Sequence, residues 1–254
     1  MSLTIESDSM FIGQQRLHVD VLHSTNDHLK TIIAKGESAE GLTVTTEYQT
    51  SGRGQIGNTW ESNEGENLLM SVYLTPKFLS ANHYFYLNMS VCLAVVDALN
   101  YIMPGFQIKW PNDILFDRTK VAGILIESTI SSGAVQSCVI GIGVNVNQRQ
   151  FKAKSNFAAN SLRNILGNEV DREYVLRIVL KSLEARYLQL RQRSDFLRSD
   201  YFNVLYGYRQ EVPAIVNGRP VAALITDVLA DGQLVVMVDG YQQKFLFKEI
   251  SFTS

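Results

Sequence analysis

E-Y-Q-T-S-G-R-G-Q-I-G-N-T-W, from Glu47 to Trp60, places three glycines around one arginine and ends on one of the chain's two tryptophans. Gly52, Gly54 and Gly57 are spaced G-x-G-x-x-G, which alone is common in loops that never meet a phosphate. A dinucleotide fingerprint would run from a strand straight into a helix. Here Asn58-Thr59-Trp60-Glu61-Ser62-Asn63-Glu64-Gly65 follows, which is loop composition, so the stretch does not read as Rossmann. A kinase glycine loop would need a lysine strand, a catalytic Asp-Asn loop and a D-F-G, and the chain has none of these. What remains is a glycine loop whose backbone N–H groups and Arg53 guanidinium can fold over an anion. An ordinary surface loop with one solvated arginine fits this stretch, taken alone, equally well.

Working outward, Leu17 to Leu22 alternates as a strand and His23-Ser24-Thr25-Asn26-Asp27 opens a helix to about Lys35, with Ser24 and Asp27 in capping-box spacing. Leu42 to Tyr48 delivers the chain into the glycine loop as a strand, and Asn67 to Leu74 is the next. Between about Asn82 and Tyr101 the repeat Leu87, Val91, Ala94, Val95, Ala98 and Ile102 predicts a helix with one core-facing stripe. In Q-I-K-W-P-N-D-I, Gln107 to Ile114, Pro111 breaks an apolar run and turns Asn112 and Asp113 toward one site, although Asn-Asp after proline also makes an ordinary turn. A hairpin at Asp117-Arg118-Thr119 leads to a strand that starts on Lys120 and carries Gly123 in its middle, which signals a bulge or the close approach of another body. Val135 to Asn147 reads as a strand with Gly141 and Gly143 on one face, stripped of side chains either for a flat ligand or for close packing.

From Ser161 the pattern turns helical: Leu162 to Leu166, then a helix capped by Asp171 and buried through Val175, Ile178, Val179, Leu183, Tyr187 and Leu190, then about Ser194 to Leu205. Beyond Gly207, short strands joined at Asn217-Gly218, Asp231-Gly232 and Asp239-Gly240 predict a small β-barrel. The division expected is therefore 1–206 and 207–254.

The 254 residues suffice for a full core, and 46% hydrophobic with 19% charged residues excludes disorder. A net charge of −2 argues against non-specific nucleic-acid binding. No apolar run is expected to approach the roughly 20 residues that span a bilayer, so no membrane partner is expected. The polar stretch Met1 to Met10 lacks the layout of a signal segment, which points to the cytoplasm. Cys92 and Cys138 lie apart in apolar runs and read as buried free thiols rather than a disulfide or metal ligands.

Five blocks in order resemble biotin protein ligases: S-T-N at Ser24 to Asn26, G-R-G-x-x-G at Gly52 to Gly57, K-W-P-N-D at Lys109 to Asp113, K-x-A-G-I-L at Lys120 to Leu125 and G-x-G-x-N at Gly141 to Asn145. The resemblance covers about residues 16 to 250. It implies an α+β fold, a mixed sheet flanked by helices related to class II aminoacyl-tRNA synthetases, followed by an SH3-like barrel. It also implies an ATP- and Mg2+-dependent ligase that makes biotinyl-5'-AMP and passes biotin to a lysine of a biotin carboxyl carrier protein, such as the acetyl-CoA carboxylase subunit. By the same resemblance Ser24, Thr25, Asn26, Gln49, Gly52 and Arg53 hold the ureido end of biotin, and Gly123, Ile124, Gly141 and Gly143 wall its ring and chain. Gly54, Gln55, Gly57, Asn58, Trp60, Asn112, Lys120 and Asn145 are implied at the nucleotide, with Arg53, Lys120 and Asp113 in the chemistry. Trp110 reads as core and Lys109 as serving the fold. Activating a carboxylate on ATP brings two anions together, which independently calls for cations such as Arg53 and Lys120.

Gln55 and Ile56 stand where many members of that family carry two basic residues, which bears on how the adenylate is retained. Only about 16 residues precede the first expected strand, too few for the DNA-binding domain of bifunctional members, so a ligase without repressor function is expected. Homodimers are common in the family. The rival readings are a lipoate protein ligase, whose R-R-x-x-G-G-G-x-V-x-H-D run is missing here, and a non-catalytic biotin or nucleotide sensor, which has little need of Arg53 and Lys120 together.

Overall fold

The computed structural model describes residues 2–4, 9–36, 38–55, 57–152, 156–192 and 194–253, without the side chains of 2–4, 194 and 195. Ile56 and half of the polar N-terminal stretch, residues 1 and 5–8, lie outside them. The chain runs β1 (Ser2–Thr4), β2 (Arg16–Leu22), α1 (Thr25–Ala34), β3 (Thr43–Gln49) and β4 (Leu68–Leu74). A 3-10 turn (Ala81–His83) leads into α2 (Phe85–Ile102), then β5 (Phe106–Lys109), β6 (Asp113–Phe116), β7 (Thr119–Ser131) and β8 (Ala134–Val144). Next come α3 (Leu162–Leu166), α4 (Arg172–Gln192) and α5 (Ser194–Asn203). The chain ends in β9 (Glu211–Val216), β10 (Arg219–Val228), β11 (Leu234–Val238), β12 (Tyr241–Phe245) and β13 (Ile250–Phe252). Strands β1, β5, β6 and β13 are additions to the sequence-based reading.

The first eight strands form one sheet in the order β1-β2-β3-β4-β8-β7-β6-β5. Its single parallel pair is β2 and β3, which α1 joins as a crossover. The last five make an antiparallel sheet, β12-β11-β10-β9-β13. The fold is thus mixed α+β, with helices on both sides of the large sheet. Asp117-Arg118, Asn217-Gly218 and Asp239-Gly240 all have positive φ at both positions, the geometry that suits two-residue hairpins. At Asp231-Gly232 only the glycine does, and Leu229 N closes a wider loop onto Gln233 O at 2.8 Å.

Alternation along the strands sorts the two faces of the large sheet. Met70, Val72 and Leu74 of β4, with Cys138, Ile140, Ile142 and Val144 of β8, join the main core beneath α2 and α4. Val139, Gly141 and Gly143 face the other way, toward α1, where Leu29, Leu42, Val44 and Val139 make a second small core. The glycine-bare face is therefore the one opposite the main core.

Helix α2 is not striped as its pattern suggested. Met89, Ser90, Cys92, Leu93, Val96 and Leu99 are buried as well, because the sheet covers one side and α4 and α5 cover the other. With the preceding turn it makes a 22-residue stretch holding an 18-residue window of mean hydropathy 1.4, long and apolar enough to cross a bilayer by length and composition, contrary to expectation. It is 67% buried inside the protein and serves as the core helix. Burial raises the Cys92 thiol and pushes that of Cys138 up to about 12, so both are inert neutral thiols. Arg186 ties the helices together by pairing with Asp97 at 2.6 Å and with Asp200. Glu184 was missed as a core residue. Its carboxylate accepts from the N–H groups of Met10, Phe11 and Ile12 at 2.6, 2.8 and 3.0 Å, which satisfies a buried charge with three donors.

Strand β8 stops at Val144, three residues short of the expected Asn147. Gly123 is not a bulge, since it stays in register between Asp113 and Gly143; the irregularity lies between Ile114 and Leu115. The small sheet docks where Trp110 Nε1 donates to Gly232 O at 3.1 Å, and the Phe85 ring fills the space a Gly232 β-carbon would need. Trp110 is a core residue, as expected.

Candidate active site

Ser24, Thr25, Asn26, Gln49, Arg53, Gly54, Gln55, Asn58, Trp60, Asn112, Asp113, Lys120, Gly123, Ile124, Gly141 and Gly143 line one cleft of about 380 Å³ on the glycine-bare face. Gly52, Gly57 and Asn145 do not line it. Gly52 shapes the loop instead: Trp60 N donates to Gly52 O at 2.9 Å, and a β-carbon at Gly52 would come 2.6 Å from Trp60 O. Gly54 N donates to Asn58 O at 2.9 Å, so the segments 52–55 and 57–60 are pinched together rather than splayed as an open loop. Asn145 sits behind the wall, where its amide donates to Asn160 O at 3.0 Å while its Oδ1 is buried without a partner among the described residues.

The α1 end of the cleft is a polar nest. Ser71 Oγ lies 2.5 Å from Asn26 Oδ1 and 2.7 Å from the Thr25 hydroxyl. Gln49 Oε1 accepts from Thr25 N at 2.9 Å. The capping box expected at Ser24 and Asp27 is not formed: Ser24 holds the N-cap position but its side chain makes no cap bond, and Asp27 accepts from Arg53 at 2.6 Å instead. An arginine on a facing loop outbids a local turn because a charged hydrogen bond is the stronger of the two. Asn26 also donates to Glu127 Oε2 at 2.8 Å, and Glu127 pairs with Arg53 at 2.9 Å and Lys30 at 2.5 Å. Burial pushes the Glu127 carboxyl up, but bonds from Lys30 and Asn26 and the charges of Lys30 and Arg53 outweigh it and hold it below its usual range.

The opposite end is built on strands. Asp113, opposite Gly123 in β7, accepts from Lys109 at 2.9 Å and pairs with Lys120 at 2.6 Å. Burial again raises the carboxyl, and the two ammonium groups more than reverse this, so Asp113 is ionised well into acid. Asn112 donates to Ile124 O at 2.5 Å, which fixes the hairpin turn against β7.

Between these ends Trp60 lies on the glycines. A β-carbon would come 2.8 Å from its indole at Gly123 and 2.5 Å at Gly143, while at Gly141 it would meet Asn26 Oδ1 at 2.5 Å. The bare face is thus covered by Trp60 and Asn26, which is the close-packing alternative of the sequence reading. Lys120 Nζ stands 5.4 Å from the Trp60 ring centre, and the indole Nε1 is buried without a partner among the described residues. Reading by sequence missed the contribution of the small sheet: Phe247, Lys248, Ile250, Ser251 and Phe252 also line the cleft. Their only local signal is the turn between β12 and β13, which says nothing of what it faces.

A family model described as "Biotin/lipoate A/B protein ligase family" matches residues 18–145, half of the chain. The chain belongs to that family. Its ligase-family relatives include the "Bifunctional ligase/repressor BirA" of Bacillus subtilis, 36% identical over 180 residues, which is 69% of this chain and 54% of that protein. The chain thus spans about half the length of that curated relative. The "Biotin--[acetyl-CoA-carboxylase] ligase" of Mycobacterium tuberculosis is 30% identical over 223 residues, covering 85% of this chain and 81% of that one. Among solved structures, biotin protein ligase from Aquifex aeolicus in complex with biotin and ATP superposes with a TM-score of 0.77 at 26% identity, covering 94% of this chain and 99% of the other. The overlap takes in nearly all of this ligase-family chain, and its five-stranded sheet fits an SH3-like barrel.

Proposed function

We propose that the protein condenses biotin with ATP to biotinyl-5'-AMP, releases pyrophosphate, and transfers biotin to a lysine of a biotin carboxyl carrier protein. The observation that carries this reading is the pair Lys109 and Lys120 sharing Asp113 at one end of a cleft whose other end is a hydrogen-bonding nest of Thr25, Asn26, Gln49 and Ser71. In the first step a biotin carboxylate oxygen bonds to the α-phosphorus as the bond to the pyrophosphate oxygen breaks. Lys120 stabilises the charge on the phosphoryl oxygens, and Arg53 holds the loop over the cleft. Gln49, Thr25 and Asn26 suit the polar ring of biotin, and Gly123 and Gly143 leave room for its body once Trp60 moves to the adenine. In the second step the carrier amine attacks the acyl carbonyl and AMP leaves. Asp113, held ionised by two lysines, is suited to orient that amine rather than to take its proton.

Among the described residues no three acidic, thiol or imidazole groups cluster as a metal cage. That donor chemistry fits magnesium carried on the ATP phosphates, with Asp113 the carboxylate at hand, where the ion would neutralise phosphate charge. A cytoplasmic location, a homodimer, and a split into a ligase unit of 1–206 and a barrel of 207–254 complete the reading.

The test is pyrophosphate release by the purified protein with ATP and either biotin or lipoate, followed by mass gain of a carrier domain. Release with biotin and carrier labelling support the proposal. Release with lipoate alone assigns the rival ligase, and biotin binding without any release assigns a sensor.

A further inference from the structure

Asp113 stands between two ammonium groups that are held in different ways. Lys109 Nζ donates to its Oδ2 at 2.9 Å and Lys120 Nζ pairs with its Oδ1 at 2.6 Å, so each lysine takes one carboxylate oxygen. Lys109 is the more enclosed. It lies opposite Asp113 in the β5–β6 pair, its side chain is 17% exposed against 29% for Lys120, and its ammonium stands 5.2 Å from the centre of the Phe157 ring. Lys120 leans the other way, over the glycine-bare face. Its Nζ is 5.4 Å from the Trp60 ring centre and 3.3 Å from where a Gly123 β-carbon would be.

The lysine assigned to the phosphoryl oxygens is therefore already engaged by a carboxylate. To reach a phosphate it has to loosen from Oδ1, and a buried carboxylate left with no other cation would pull it back, because an uncompensated buried charge is costly. With Lys109 on Oδ2, Asp113 keeps a cation throughout. We propose that Lys109 is a positioning residue for adenylate formation: it neutralises Asp113, and so frees Lys120 to move to the α-phosphate. It acts through Asp113 rather than on ATP. This rests on the ATP-dependent reading above.

Lys109→Met keeps an unbranched stem over Phe157 and removes the charge. At saturating biotin and ATP, single-turnover pyrophosphate release should slow about tenfold, the size of one charge-assisted bond pulling on Lys120. The ATP concentration for half-maximal rate should move less than about threefold, since the lost interaction is not with ATP. Lys109→Arg should recover most of the rate. Adding Asp113→Asn to Lys109→Met should do the same, because the amide no longer holds Lys120, whereas a loss of packing would not be recovered in this way. A rate within about twofold of the parent in Lys109→Met, a loss that falls on ATP concentration instead of rate, or a double variant no faster than the single one overturns the proposal. If the parent protein releases no pyrophosphate, the ligase reading has failed. Acylation of Lys120 by an N-hydroxysuccinimide ester, followed by peptide mass, then still decides: slower labelling in Lys109→Met than in the parent, restored by Asp113→Asn, supports the proposed hold on Lys120, and equal or faster labelling overturns it.

Discussion

The two charged ends of the cleft are built differently. Arg53 sits on a glycine loop, 38% exposed, and its partners Asp27 and Glu127 are 50% and 24% exposed. Lys109, Lys120 and Asp113 stand on strands, at 17%, 29% and 17% exposure. Exposed pairs are worth about 0–1 kcal/mol, whereas breaking a mostly buried one costs about 3–5 kcal/mol. The strand-borne end is thus the more buried of the two and the loop-borne end the easier to break. Under the ligase reading proposed above, a reactive mixed anhydride must be held away from water and then opened to a protein substrate, which calls for one of each.

Removing Asp113 should break that contrast most severely. Asp113→Ala leaves two ammonium groups facing each other and should lower unfolding free energy by about 3–5 kcal/mol in urea titration; a change under about 1 kcal/mol would mean the lysines simply turn to solvent. The pH dependence follows from the lowered carboxyl. Its stabilisation is complete above about pH 4, the unfolded value, and is lost as pH falls through the lower folded one. The parent should accordingly lose more stability between pH 7 and pH 3 than Asp113→Asn does. Next in size, Lys120→Ala should slow pyrophosphate release about a hundredfold or more with the fold intact by circular dichroism, and wild-type turnover in that variant would remove Lys120 from the chemistry. Gly143→Ala should evict the indole that lies 2.5 Å from the new methyl, seen as a red shift in Trp60 emission and a loss of about tenfold in ATP affinity. The smallest effect belongs to the loop-borne end. Glu127→Gln should cost under about 1 kcal/mol of stability yet speed proteolysis between Gly52 and Gly57; unchanged cleavage would show that the loop does not depend on this pair.

Much of the site was legible because short-range chemistry wrote it. Pro111 with Asn112 and Asp113, Lys120 at the head of a strand, and glycines at 141 and 143 each constrain a backbone locally, and all meet at one cleft. What was not legible depended on partners distant in sequence. Ser24 and Asp27 have capping-box spacing, but a residue 26 positions away took Asp27. Glu184 looks like the polar side of an amphipathic helix until three backbone donors from Met10 to Ile12 converge on it. Helix α2 repeats like a surface helix although α4 and α5 leave it no solvent side. Nothing in Leu246 to Glu249 says that the turn faces a cleft formed by another sheet. Most strands were readable from turns and alternation, except for the three- and four-residue ones, β1, β5, β6 and β13, which are too short to carry a pattern.

Gly232 lets the small sheet settle on Phe85 and Trp110 with no gap, and the main core runs on through Val212, Ile225 and Val236 without interruption. The two sheets are thus expected to melt together. Calorimetry should give one endotherm rather than two, and a chain cut at residue 206 should expose enough aromatic surface at Phe85 and Trp110 to self-associate and precipitate.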